Sequence, residues 1–110
     1  MKRGEIWTAA GAEGYAAKPR PVVIVQDDRF DSTRSVTICG FTSTEIEAPL
    51  FRVAIAPNPE NRLQGASWLM ADKLFTVPRE KLGRRIGRLA EDDVSRLNRA
   101  IMIFLGLGGG

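Results

Sequence analysis

The chain has 110 residues, which is enough for one compact domain around a single core but not for two. Hydrophobic residues make up 44% of it and charged residues 26%, so a chain that is mainly disordered is not expected. Sixteen Lys and Arg against thirteen Asp and Glu give a net charge of +3, which permits a polyanionic partner without requiring one.

The first half of the chain is typical of short strands separated by turns. "EIWTAA" from Glu5 predicts a first strand, followed by a glycine-rich loop. "PVVIVQ" has a continuous apolar run and predicts a fully buried strand. "VTICGFTST" predicts a third strand that ends in hydroxyl side chains.

The strand pattern continues in the second half. "FRVAI" alternates, with Phe51, Val53 and Ile55 on one face and Arg52 on the other. "SWLMADKLFTV" predicts a strand that ends near Pro78, and "RRIGRL" a short exposed or edge strand.

Residues 91–105 predict an amphipathic helix, because apolar residues recur at three- and four-residue spacing. Ala90 is a poor N-cap and Gly106 a natural C-terminal stop. We expect Ile101, Phe104 and Leu105 to pack in the core, with the end of the helix extending toward a dimer contact.

The predicted fold is mainly β: a small, strongly curved antiparallel sheet or partial barrel with one C-terminal helix packed across it. The absence of strand–helix alternation argues against a doubly wound α/β sheet. We assign residues 1–107 to one domain and residues 108–110 to a flexible glycine tail.

Half of the sixteen cations fall between Lys73 and Arg99, which predicts a positive stripe on one part of the fold. A solvated face is the more common explanation of such a run of charges.

Several chemistries are excluded by residue type. The chain has no histidine, which removes the most common metal ligand and the most common acid–base residue. Its single cysteine, Cys39, makes neither a disulfide nor a zinc site. Nothing at the N-terminus resembles a signal peptide, and the longest apolar stretch is far shorter than the roughly 20 residues of a membrane span, so we expect a cytoplasmic protein without membrane contact.

No metal or cofactor is expected. Asp27, Asp28 and Asp31 are the only candidates for a carboxylate metal site, but "DDRFDS" lacks the glycine and distal glutamate of a calcium loop. A turn after a strand explains these aspartates better. No glycine-rich nucleotide-binding motif is present.

Arginine, lysine, carboxylates and hydroxyls suit a reaction in which the substrate supplies the nucleophile. RNA is such a substrate, because its 2′-OH can attack the neighbouring phosphate. The protein then has to position the bond and stabilise the charge of the phosphorane, and a guanidinium matches phosphate geometry.

Motifs along nearly the whole chain resemble the MazF/PemK family of toxin endoribonucleases of type II toxin–antitoxin systems. The motifs are "RGEIW", "RPVVIVQDDRF", "FTS", "FRV", "SWLMADKLFTV", "LGRRIGRL" and the terminal "FLGL". The resemblance implies an SH3-like barrel of the CcdB/MazF type with five to seven strands, usually a homodimer. It also implies sequence-specific, metal-independent cleavage of single-stranded RNA to a 2′,3′-cyclic phosphate, and neutralisation by a cognate antitoxin.

By position, the resemblance implies that Arg20 and Thr42 are catalytic. Arg20 would neutralise the phosphorane, and Thr42 would hold the scissile phosphate. Some relatives carry a histidine in the first loop and an Arg-x-Asp motif whose arginine position is Met70 here. The general base is therefore not assigned, with Asp72 or Glu13 as candidates to assist.

Alternatives remain for each residue. Arg20 could instead form a structural salt bridge with Asp27 or Asp72, and Thr42 could be an ordinary strand-end hydroxyl. The expected RNA-binding residues are Tyr15, Lys18, Ser43, Asp72 and Lys73. Tyr15 and Lys18 could equally be solvated loop residues, and Asp72 could instead be a buried carboxylate that satisfies the Arg20 guanidinium. Trp7 and Trp68 are expected to be structural.

Two rival functions stay open. One is a non-enzymatic toxin of the same fold that binds DNA gyrase, and the other is an inactive barrel that only binds nucleic acid or protein.

Overall fold

The computed structural model describes residues 1–10 and 18–107. Within them the chain forms six strands, two single-turn 3₁₀ helices and one α-helix. The strands are β1 (Glu5–Ala9), β2 (Arg20–Ile24), β3 (Ser35–Thr42), β4 (Arg52–Ile55), β5 (Ser67–Pro78) and β6 (Leu82–Arg88). The helices are 3₁₀ turns at Asp28–Phe30 and Arg79–Lys81, and α1 at Glu91–Leu105.

The six strands form one antiparallel sheet in the order β4-β5-β3-β2-β1-β6. The sheet is not closed, since β4 and β6 are its two edges. This is the mainly β partial barrel with a C-terminal helix that the sequence predicts, and β6 is the predicted edge strand.

Two apolar clusters cover the two faces of the sheet, which explains why β2 is continuously apolar. Val23 and Val25 belong to a first cluster, to which α1 contributes Leu97 and Ala100. Val22 and Ile24 belong to a second cluster on the other face. An antiparallel strand covered on both sides has no solvent face to carry polar residues.

Strand β5 is long and irregular. Cys39 of β3 lies opposite Leu74, whereas Phe41 lies opposite Leu69, so four residues of β5 face the single residue Gly40. Such a bulge bends the strand and sharpens the local twist. Asp72 and Lys73 lie within this bulge.

The helix begins and ends as the sequence predicts, but its packing differs. Ala90 gives no side-chain cap, and Gly106 adopts a left-handed conformation with φ of 72°. Ile101 packs against the first cluster, whereas Phe104 and Leu105 are 47% and 52% exposed. The expectation that these two residues are core is wrong. They lie in the last turn of α1, where Phe104 contacts the ring of Phe51 with a centroid distance of 5.6 Å but stays about half exposed.

The predicted positive stripe is divided by local ion pairs. Arg85 pairs with Glu5, Arg88 with Glu60, and Arg96 with Asp93. No helix in the described part of the chain is long and apolar enough to cross a membrane.

Candidate active site

Arg20 and Thr42 lie at the same end of two neighbouring strands. Arg20 is the first residue of β2 and Thr42 the last of β3. The two strands pair antiparallel with Val22 opposite Gly40, and Arg20 and Thr42 each lie two residues beyond this pair, at the same end of the two strands.

Both side chains belong to the same face of the sheet. Arg20 lies opposite Ala9 of β1, a residue of the second cluster. Thr42 follows Ile38 and Gly40 by two-residue steps, and Ile38 also belongs to that cluster. Because side chains alternate between faces along a strand, Arg20 and Thr42 both belong to the face of the sheet that carries the second cluster.

The side chain of Arg20 is exposed, and the alternative of a structural salt bridge with Asp27 or Asp72 is wrong. Asp27 accepts hydrogen bonds from the backbone and side chain of Arg29, where it caps a 3₁₀ turn. Asp72 is bound to Arg52. Neither carboxylate pairs with Arg20.

The Thr42 hydroxyl is oriented by its own loop. Its oxygen accepts a hydrogen bond from the Thr44 backbone N–H at 3.1 Å. A hydroxyl has one hydrogen to donate, and this contact uses only an acceptor lone pair. The hydrogen of Thr42 is therefore free to bind a phosphate oxygen.

Asp72 forms the tightest ion pair near the site. Arg52 Nε and Nη2 donate to the two carboxylate oxygens of Asp72 at 2.9 and 3.2 Å. The side chains are only 9% and 16% exposed. The hydrogen bonds from Arg52 lower the pKa of Asp72, so it stays ionised near neutral pH and is a weak base.

Met70 occupies the position where the resemblance places an arginine in some relatives. It is buried, and its Cε lies 3.3 Å from the point where a Cβ on Gly40 would stand. Met70 is also the cross-strand neighbour of Arg52. A guanidinium is thus supplied to Asp72 from β4 rather than from β5.

Of the other predicted RNA-binding residues, three lie in the part of the chain that the structure describes and one does not. Lys18, Ser43 and Lys73 are exposed: Lys18 lies two residues before Arg20, and Ser43 directly follows Thr42. Tyr15, like Glu13, lies outside the described residues.

Sequence reasoning did not assign a role to Arg52. The sequence shows that Arg52 is the one charged residue of an alternating strand. It does not show that β4 pairs with β5, which brings Arg52 to Asp72. Trp68, expected to be structural, is directly opposite Thr42 and partly exposed.

Neither the Cys39 thiol nor the aspartates that follow β2 form a reactive or metal-binding site within the described residues. Burial raises the pKa of the Cys39 thiol to about 12, so it stays protonated in the core. Asp28 accepts a hydrogen bond from the Arg3 backbone, and Asp31 pairs with Lys2. Among the residues that the structure describes, no three His, Cys, Asp or Glu side chains are placed to hold a metal ion.

Comparison with known proteins identifies the family of the chain. Residues 2–105 match the family model described as the PemK-like, MazF-like toxin of type II toxin–antitoxin systems. The chain is 53% identical over 109 residues to the probable endoribonuclease MazF of Mycolicibacterium smegmatis, covering 99% of this chain and 100% of that protein. It is 30% identical to endoribonuclease MazF9 of Mycobacterium tuberculosis, covering 97% and 98% of the two chains.

The fold is shared with a solved structure described as an endoribonuclease in complex with its cognate antitoxin from a mycobacterial species. The TM-score is 0.80 at 22% identity, covering 100% of this chain and 99% of that one. The chain belongs to the PemK-like, MazF-like family of toxins of type II toxin–antitoxin systems.

Proposed function

We propose that the protein is an endoribonuclease toxin that cleaves single-stranded RNA without a metal ion. The observation that carries the proposal is the placement of Arg20 and Thr42 on one face at one end of the sheet. The naming of two full-length relatives as MazF endoribonucleases supports it.

In the proposed reaction the ribose 2′-oxygen attacks the adjacent phosphorus. The new O2′–P bond forms as the P–O5′ bond breaks, giving a 2′,3′-cyclic phosphate and a 5′-OH. One proton leaves the 2′-OH and one is delivered to the departing 5′-oxygen. The non-bridging oxygens carry extra charge in between, and that charge is the target for the protein.

Arg20 and Thr42 divide this task. The exposed guanidinium of Arg20 offers paired N–H donors to two phosphate oxygens. The Thr42 O–H donates to a non-bridging oxygen, because its own oxygen is already bound to the Thr44 N–H. Lys18 and Lys73 supply further positive charge to the RNA backbone, and Tyr15 and Ser43 contact bases or sugars. Asp72, held by its ion pair with Arg52, contributes to the RNA-binding groove rather than acting as a general base.

The proposal includes a homodimer and a cognate antitoxin, and a cytoplasmic location. The end of α1 supports the dimer, because it exposes apolar side chains that a second copy would cover. They are Met102, Ile103, Phe104, Leu105 and Leu107, which are 42–70% exposed. Among the solved structures of this fold, one is described as a complex with a cognate antitoxin, which supports the second partner.

The test is to incubate the purified protein with single-stranded RNA in EDTA and to analyse the ends of the products. Products with 2′,3′-cyclic phosphate and 5′-OH ends are expected. Cleavage that requires added Mg²⁺, or that leaves 5′-phosphate ends, would contradict the proposal. Inhibition of gyrase without RNA cleavage would favour the rival toxin, and RNA binding with neither activity would favour the inactive barrel.

A further inference from the structure

A pocket of about 320 Å³ lies beside the proposed catalytic threonine. Trp68 forms one of its walls, and Trp68 is the cross-strand neighbour of Thr42. Glu45 and Glu47, from the loop that follows Thr42, also line the pocket, as does Arg52. The volume is at the small end of the range for small-molecule sites, which suits a single nucleobase rather than a longer ligand.

Trp68 is available for stacking. It is partly exposed and belongs to neither apolar cluster, in contrast to Trp7, which packs against the second cluster. The Trp7 indole N–H donates to Glu5, whereas Trp68 has no side-chain hydrogen bond within the described residues. An aromatic side chain that is partly exposed next to a phosphate site is a common platform for a base of single-stranded RNA.

The charges of the pocket point to a base rather than a phosphate. The Arg52 guanidinium is already bound to both oxygens of Asp72. Arg96, at the far side, donates to Ala54 and Asp93. Glu45 and Glu47 are exposed and form no ion pair with the described residues, so they would repel a phosphate.

Carboxylates that line the pocket favour a ligand edge that donates hydrogen bonds. A carboxylate accepts two parallel N–H bonds well, as it does from arginine. The Watson–Crick edge of unpaired guanine offers adjacent N1–H and N2–H donors. Adenine and cytosine offer only an amino group beside a ring acceptor, and uracil one N–H between two carbonyls.

We propose that Trp68, Glu45 and Glu47 form a pocket for a guanine base next to the cleaved bond. The base stacks on the indole and its Watson–Crick edge binds a carboxylate of the loop. This inference rests on the proposed function, since it takes single-stranded RNA as the substrate.

The first experiment compares cleavage of an RNA pool randomised around one site. Wild type is expected to prefer guanine at one position beside the cut. Stacking contributes about 1–3 kcal/mol per base, so Trp68→Ala should lower kcat/KM for guanine-containing RNA by about 5- to 150-fold, with the loss mainly in KM. The Glu45→Gln/Glu47→Gln variant should relax the guanine preference, and Trp68→Phe should retain most of the activity.

The matched control is Trp7→Phe, which changes the other tryptophan and should leave the base preference unaltered. Melting temperatures of all variants separate loss of stacking from loss of folding. Base preferences of Trp68→Ala that are identical to those of wild type at every position would overturn the pocket.

A binding experiment separates failure of the pocket from failure of the proposed function. In the Trp7→Phe/Arg20→Ala protein, Trp68 is the only tryptophan, so its fluorescence reports on the pocket alone. A uridine heptamer containing one guanine should quench it more strongly than all-uridine RNA. If guanine quenches Trp68 but the wild-type protein does not cut RNA, the pocket is supported and the proposed nuclease activity is refuted. If the wild-type protein cuts RNA but guanine does not quench Trp68, the nuclease activity is supported and the pocket is refuted.

Discussion

Two arginines on the same face of the sheet have opposite environments. Arg20 is exposed at the start of β2, and the two carboxylates proposed as its structural partners are bound elsewhere. Arg52, on β4, is almost buried, and its Nε and Nη2 both donate to Asp72. A guanidinium whose charge is already matched contributes to stability and orientation, whereas one that is open to solvent can bind an incoming phosphate. The difference separates the proposed catalytic arginine from a structural one.

The largest effect is expected from Arg20→Ala. Removing a preorganised donor to a developing oxyanion costs about 10²–10³ in kcat, and the exposed side chain makes no contact that the fold needs. Single-turnover cleavage of RNA measures the loss, with the melting temperature as a control. Arg20→Lys should recover only part of the activity, because an ammonium cannot offer paired planar donors.

If the loss of activity in Arg20→Ala only matched the loss of folded protein, Arg20 would not differ in role from Arg52. This result would place Arg20 among the structural residues.

The next effect is expected from Arg52→Ala, and it concerns stability. The change leaves the Asp72 carboxylate nearly buried without its partner, which costs about 3 kcal/mol. Urea unfolding at neutral pH measures it. The matched control is Arg29→Ala, because Arg29 also pairs with an aspartate but both side chains are exposed, so little change is expected. Equal effects of the two substitutions would show that burial does not distinguish these pairs.

A smaller effect is expected from Thr42→Val. The substitution keeps the shape of the side chain and removes one hydrogen bond to a charged phosphate, so kcat should fall by about 10- to 100-fold. Thr42→Ser keeps the hydroxyl and should stay within about tenfold of wild type. If Thr42→Val were as active as Thr42→Ser, the hydroxyl would have no part in the reaction.

The smallest effect is the contribution of Asp72 to the pH dependence of stability. Its pKa in the folded protein lies below the ordinary value of 3.8, so the folded state binds this proton less readily than the unfolded state. The stabilisation is complete above the ordinary value and is lost as the pH falls through the lowered folded-state pKa. Urea unfolding at pH 6 and pH 3 should show a smaller decrease for Asp72→Asn than for wild type; an equal decrease would contradict the assignment.

The sequence predicted the local features because local patterns carry them. The alternation in β4, the continuous apolar run of β2, the stop at Gly106 and the strand-end position of Arg20 and Thr42 each depend on a few neighbouring residues. The family followed from the order and spacing of motifs along nearly the whole chain, and the family model confirms it. The site roles of Arg20 and Thr42 remain predictions.

What the sequence missed depends on which strands are neighbours. Asp72 was considered as a partner of Arg20, but β5 lies between β4 and β3, and this order gives Asp72 to Arg52. Phe104 and Leu105 carry the same helical spacing as Leu97, yet only Leu97 lies over the sheet. A periodic pattern reports which face of a helix is apolar but not how far the covering surface extends.

The sequence by itself determined the mainly β class, the position of the single helix, the family and the residue types available for chemistry. Residue types and local periodicities are properties of the chain, and they do not depend on how distant segments meet. Only the tertiary structure decided that Arg52 neutralises Asp72, and that Trp68 stands beside Thr42 at the wall of a pocket. These contacts join residues 20 and 26 positions apart, and the strand order and the bulge in β5 bring them together.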